Sequence, residues 1–178
     1  GFLARYNSSG THQWSLRYGG TGEELGLSTA VDPFGKVILG AVFSSPTIDM
    51  GSGVLARVGG STDVVVARYS STGSPVWSRA SGGADSDYLN SVASDANGNA
   101  IIAGTFDETI DFGGGNLVST SPQDGFLAKL GVAEPAITSI KDVGNDQGRN
   151  VRITVNRSLL DDGTAVHPVK EYQAFRRV

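Results

Sequence analysis

The chain has 178 residues, a formal charge of −4 and no cysteine, which excludes a disulfide framework and a thiolate metal centre. With only 14 Lys and Arg, and no cluster of them, it offers no basic surface for a phosphate backbone, so nucleic acid is not an expected partner. Its longest apolar run, Val37 to Phe43, is too short to cross a bilayer as a helix.

The chain opens on Phe2-Leu3-Ala4-Arg5-Tyr6, a string that returns as Val65-Val66-Ala67-Arg68-Tyr69 and again as Phe126-Leu127-Ala128-Lys129-Leu130. The first two copies keep one offset at Trp14/Trp77, Gly19/Gly82, Gly20/Gly83, Asp32/Asp95, Gly35/Gly98 and Phe43/Phe106. Self-similarity with a period of about sixty residues marks stacked supersecondary units. Glycine, at 25 residues, suits short strands joined by tight turns, because it alone adopts positive φ without steric cost.

Within one repeat, Leu27–Asp32 reads as a strand, Pro33-Phe34-Gly35 as a turn, and Lys36–Phe43 as a strand apolar on both faces. Such a strand must be covered on both sides. A loop is expected around Thr47–Gly51, then a third strand over Asp63–Tyr69, a turn at Ser70–Gly73, and a fourth strand from Pro75 to Ala80 carrying Trp77. The second copy gives strands at Leu89–Asp95, Asn99–Phe106 and Asp124–Leu130. Four antiparallel strands per repeat, each sheet needing neighbours on both faces, describe tandem propeller blades. Residues 1–20 supply the outer two strands of one blade, 24–83 a whole blade, and 89–130 three strands of another. Two blades do not close a ring, so further blades of a longer parent chain are expected partners.

The strings DVVVARYSSTGSPVWSRASGG, NSVASDANGNAIIAGTF and TIDFGGGNLVSTSPQDGFLAKL, with their first copies LSTAVDPFGKVILGAVF and TIDMGSG, resemble the bacterial beta-propeller repeat family known as SBBP over residues 1–130. The resemblance implies a secreted or cell-surface bacterial protein and carries no catalytic residues.

Residues 1–131 are thus read as a partial β-propeller and 132–136, around Pro135, as a linker. In 137–178 the pattern changes: Val151, Ile153 and Val155 alternate with polar residues, with further strands expected at Ile137–Val143 and Val169–Arg177 and a turn at Asp161–Gly163. This segment is similar to the opening strands of a fibronectin type III or related immunoglobulin-like sandwich, and it is too short for the seven strands of that fold. The fold class is therefore all-β, a partial propeller plus an incomplete β-sandwich module.

No catalytic set stands out. Trp14 and Trp77 recur with the repeat and are expected to pack at or between blades rather than to stack on sugars. Asp49, Asp111, Asp95 and Asn97 are the candidate metal ligands, with calcium the one candidate ion, but their spacing suits turn and loop capping better than a calcium loop. Asp85-Ser86-Asp87 is an acidic pair read as a solvated loop rather than half of a glycosidase site. His12 and His167, the only histidines, lack metal-ligand spacing. The expected function is a non-catalytic scaffold for protein or glycan binding and adhesion. The alternatives are a propeller hydrolase or lyase with its site on other blades, and a calcium-dependent adhesin.

Overall fold

A computed structural model describes residues 1–131 and the strands Ile137–Asp142 and Val151–Val155. The chain divides into two compact units, Gly1–Gly131 and Val132–Val178. Every regular element among the described residues is a β-strand, and no helix there is long and apolar enough to cross a membrane.

In chain order the first unit contains β1 (Phe2–Tyr6), β2 (His12–Arg17), β3 (Glu24–Val31), β4 (Val37–Phe43), β5 (Thr47–Asp49), β6 (Val54–Ala56), β7 (Asp63–Tyr69), β8 (Pro75–Ser81), β9 (Asp87–Ser94), β10 (Ala100–Phe106), β11 (Thr109–Asp111), β12 (Asn116–Val118) and β13 (Asp124–Leu130). They form three successive antiparallel sheets: β1-β2, then β3-β4-β7-β8, then β9-β10-β13. Each matches the strand count expected of its segment, and together they are blades of a partial propeller. The stretch around Thr47–Gly51 departs from the expected loop. It opens a short hairpin, β5 with β6, repeated as β11 with β12. Three-residue strands with little alternation give no periodic signal; what fixes them is tertiary, since Ile48 and Ile110 are driven into the core.

The core explains the stacking. Every residue of β4 and β7 is buried. One face of the second sheet packs on the first sheet through Val37, Leu39, Phe43, Val65 and Tyr69 against Leu3 and Tyr18. Its other face packs on the third sheet through Ile38, Val42, Val64 and Val66 against Leu89, Val92, Ile102 and Phe126. Each such aliphatic side chain contributes about 1.5–3 kcal/mol when fully buried. Tyr69 is buried with its hydroxyl donating to the Met50 carbonyl (2.9 Å), so its polar tip is satisfied.

Four strand-to-strand turns share one chemistry. The side-chain oxygens of Asn7, Asp32, Ser70 and Asp95 each accept backbone N–H bonds from residues two and four places on, as when Asp32 takes those of Phe34 (2.8 Å) and Lys36 (2.9 Å). The residue between them is always a glycine at positive φ: Gly10, Gly35, Gly73 and Gly98.

The Gly19-Gly20 and Gly82-Gly83 doublets dock each outer strand onto the next short hairpin. Gly19 exchanges backbone hydrogen bonds with Asp49 (3.1 and 3.2 Å), and a Cβ on Gly20 or Gly83 would overlap the carbonyl oxygen of Thr47 or Thr109.

In the second unit, β14 (Ile137–Asp142) and β15 (Val151–Val155) pair antiparallel, Ile140 opposite Ile153, with an irregularity between Ile137 and Ser139. The expected linker 132–136, the turn at 161–163 and the strand at 169–177 lie outside the described residues.

Because the Gly83 contact is with backbone, which cannot rotate away, Gly83→Ala should destabilise the chain by about 1–3 kcal/mol. Gly114→Ala, where a Cβ meets nothing within 4 Å, should stay within about 0.5 kcal/mol of the parent in the same urea titration.

Candidate functional site

The polar chemistry of the first unit concentrates at the seams between sheets. Third strands β1, β7 and β13 carry Arg5, Arg68 and Lys129 at one repeat position. Arg68 is buried, pairs with the carboxylate of Asp32 in its own sheet, and donates to the Gly98 carbonyl in the turn of the next sheet. Arg5 does the same across the first seam, donating to the carbonyls of Gly35 (2.8 Å) and Ser71 (3.1 Å). Lys129 repeats the within-sheet half, its Nζ lying 2.7 Å from Asp95 Oδ2. Each cation thus ties a turn of its own sheet, a turn of the next, or both. Trp14 adds to the first seam: its ring covers Gly73, and its Nε1 donates to the Ser71 carbonyl (3.0 Å). Trp77 packs on the core between the second and third sheets with a buried Nε1 that has no partner among the described residues. Both tryptophans therefore sit between sheets.

The candidate metal ligands are placed as follows. Asp49 Oδ1 accepts from Gly51 N (2.7 Å), and Asp111 Oδ1 from Gly113 N (2.5 Å) and Gly115 N (3.1 Å), each within its own short hairpin. Asp95 Oδ1 accepts from Asn97 N (2.9 Å) and Asn99 N (2.8 Å), while Oδ2 accepts from Asn99 Nδ2 (2.7 Å) and faces Lys129. These donors, first the Asn99 amide and then Lys129, hold the Asp95 carboxyl below its usual range. Asn97 enters only through its backbone N–H in that turn. The structure spreads these four residues over three separate turns, with Asp95 and Asn97 sharing one, and among the described residues no three His, Cys, Asp or Glu side chains gather into a metal-holding group.

The acidic pair is divided. Asp85 is exposed, as a solvated loop requires, whereas Asp87 is 0% exposed at the start of β9, which corrects the loop reading for that residue. Its backbone N–H reaches the Thr62 carbonyl of the neighbouring sheet (2.8 Å), and this pairing draws it inside. Asp87 Oδ2 accepts from Gly83 N (2.9 Å) and Oδ1 is buried without a partner. Across the seam Asp63, also buried, accepts from Val58 N (2.6 Å) and likewise leaves Oδ1 unpartnered. Burial pushes the Asp87 carboxyl up to about 7; the Gly83 N–H opposes the rise, and the charges of Asp63 and Asp107 add to it. Asp63 is raised by burial as well, against the pull of the Val58 N–H and Arg57.

The residue reading missed the cation column and the buried Asp63 and Asp87. A signal existed for the first: Arg5, Arg68 and Lys129 recur in register, as do Asp32 and Asp95. For Asp87 the register was present too, since Glu24 opens β3 as Asp87 opens β9, but burial is not written in one copy.

No protein-family profile matches the chain. The chain is 23% identical over 199 aligned positions to an uncharacterized WD repeat-containing protein of Acanthamoeba polyphaga mimivirus, a match that takes in 92% of this chain and 14% of that protein. The chain therefore spans a small part of its relative's length. A repeat-built β array is what the comparison and the sheet topology have in common.

Two outcomes test this account. Arg68→Met leaves Asp32 buried without its partner and should cost about 3–5 kcal/mol, whereas Arg5→Met, at a part-exposed seam, should cost about 1 kcal/mol, both read by denaturant unfolding. A folded-state carboxyl raised above its unfolded value binds more protons than the unfolded chain, so the Asp87 contribution is greatest below about pH 4 and is lost as pH climbs to about 7. Asp87→Asn, which still accepts from Gly83 N, should match the parent at pH 4 and exceed it by about 1–3 kcal/mol at pH 8; equal stability at pH 8 would refute the burial argument.

Proposed function

We propose that this chain is part of a non-catalytic, secreted or cell-surface bacterial β-propeller scaffold of the SBBP-like type, joined to an immunoglobulin-like module, which binds a protein or glycan ligand in adhesion. Four lines support the reading. The side chains capable of chemistry recur with the repeat and are engaged in turns and seams: Arg5, Arg68 and Lys129 with turn groups, Asp49, Asp95 and Asp111 with backbone N–H donors. The relative carries WD repeats in its name, and such repeats build propellers. The repeat strings resemble SBBP sequences, whose setting is bacterial and exported. Finally, both short hairpins or their flanks present apolar side chains to solvent: Val54 and Val58 on one, Leu117 and Val118 on the other.

That last observation carries the binding half of the reading. Exposed apolar side chains on tandem projections of a rigid stack suit recognition of a partner surface. On an array of glycans and purified surface proteins, the parent protein should bind a defined ligand class, and Val58→Asp with Val118→Asp should abolish binding while the melting temperature stays fixed. Retained binding would move the surface elsewhere, and turnover of a bound glycan would replace the scaffold with a hydrolase or lyase. Millimolar calcium in place of chelator should leave the melting temperature unchanged, because a ligand that prefers the folded state must raise it.

A further inference from the structure

The stack breaks its own symmetry at one seam. Between the second and third sheets, β4 carries Gly40, and a Cβ there would run into the side chains of Leu89 and Val92 on β9. Large side chains on a first strand are thus received by a glycine on the second strand of the preceding sheet. In β3, the first strand of the second sheet, the positions matching Leu89 and Val92 are Gly26 and Thr29. The large groups are missing there. The Tyr18 hydroxyl leans over Gly26, and an open cleft of about 370 Å³ remains, lined by Leu3, Tyr18, Gly26, Ser28, Thr29 and Leu39 among others.

The cleft runs along an unfinished edge. β1 pairs with β2 on one side only, whereas its repeat-mate β7 pairs with β8 on one side and with β4 on the other. Phe2 is 75% exposed while its repeat-mate Val65 is 0% exposed. The cleft is therefore the continuation, one repeat earlier, of an interface this molecule already makes: the place of β4 beside β7 and beneath β9.

We propose that the free edge of β1 and the cleft it shares with β3 seat one further strand, the second strand of another copy of the repeat, and that this strand carries a bulky apolar side chain where β4 carries Gly40. Its backbone groups complete the ladder of β1 as an added strand does at any open sheet edge. Its large side chain enters the space that Leu89 and Val92 fill in the next seam. Size is exchanged across the interface: small on β4 and large on β9 at one seam, large on the incoming strand and small on β3 at the other. Such an exchange orders the blades, because a glycine-bearing strand leaves a void at this seam and a bulky one clashes with Leu89 at the other. The inference rests on the propeller reading given above and adds to it the identity of the neighbour.

The test titrates the 178-residue chain with two Lys-flanked peptides, one reproducing residues 36–45 and one the same with Gly40→Leu. The leucine peptide should bind about tenfold more tightly and shift the amide resonances of Leu3, Gly26 and Thr29. Thr29→Val, at an exposed position that leaves folding intact, should shrink that preference, and Tyr18→Ser with Gly26→Leu, which copies Ser81 and Leu89 into this seam, should reverse it if the variant keeps the parent circular dichroism. Binding of the glycine peptide as tightly as the leucine peptide would overturn the size exchange and leave blade completion standing. Failure of both peptides to reach the β1 edge would overturn both. A dimer that protects the β1 amides in sedimentation and exchange experiments would assign the face to a second copy and overturn the proposed occupant.

Discussion

Strands β4 and β7 have no polar face to give to water. All their side chains are buried, one row against the first sheet and the other against the third. A single sheet built on them would expose one row or the other, so the sheets stack, and the hairpins and glycine doublets of the first unit serve that stacking. The short hairpins add Ile48 and Ile110 to the two cores. The glycine doublets let the outer strands pass flush against those hairpins.

Apolar packing is not directional and does not by itself set the register of one sheet on the next. The cations of the third strands do. Arg68 spans from Asp32 in one sheet to the Gly98 carbonyl of the following one, and a guanidinium, with its donors fixed in a plane, tolerates little sliding. Lys129, a flexible ammonium, takes the place of arginine where the contact is more exposed. The buried Asp63 and Asp87 work against the seam, since each keeps one oxygen dry and unpartnered. Burial raises both carboxyls, so the second seam loses stability as pH rises and they ionise.

Much of this was legible in the chain. The repeat strings located nine of the thirteen strands of the first unit, and the unbroken apolar run at Val37–Phe43 announced a strand covered on both faces. The D-x-x-G-x turns at Asp32 and Asp95 were readable because an aspartate and a glycine at positive φ are local requirements. The three-residue hairpin strands were not, since they alternate over too few residues. Nor was the burial of Asp87, which only Ser86 separates from an exposed Asp85. For the candidate ligands Asp49, Asp95 and Asp111, a string of letters offers carboxylates; only coordinates reveal which oxygens their own turns have taken.

The sequence by itself determined the all-β class, the repeat, the strand order within a blade and the turn chemistry, because each is set by neighbours a few residues apart or by a pattern repeated in register. Tertiary structure alone decided which carboxylates are dry, which cation reaches which carbonyl, and where one seam is filled by Leu89 and Val92 while the other stays open above Gly26. Those outcomes depend on residues of different sheets meeting across a seam. Burial and desolvation belong to that meeting and not to any residue in it.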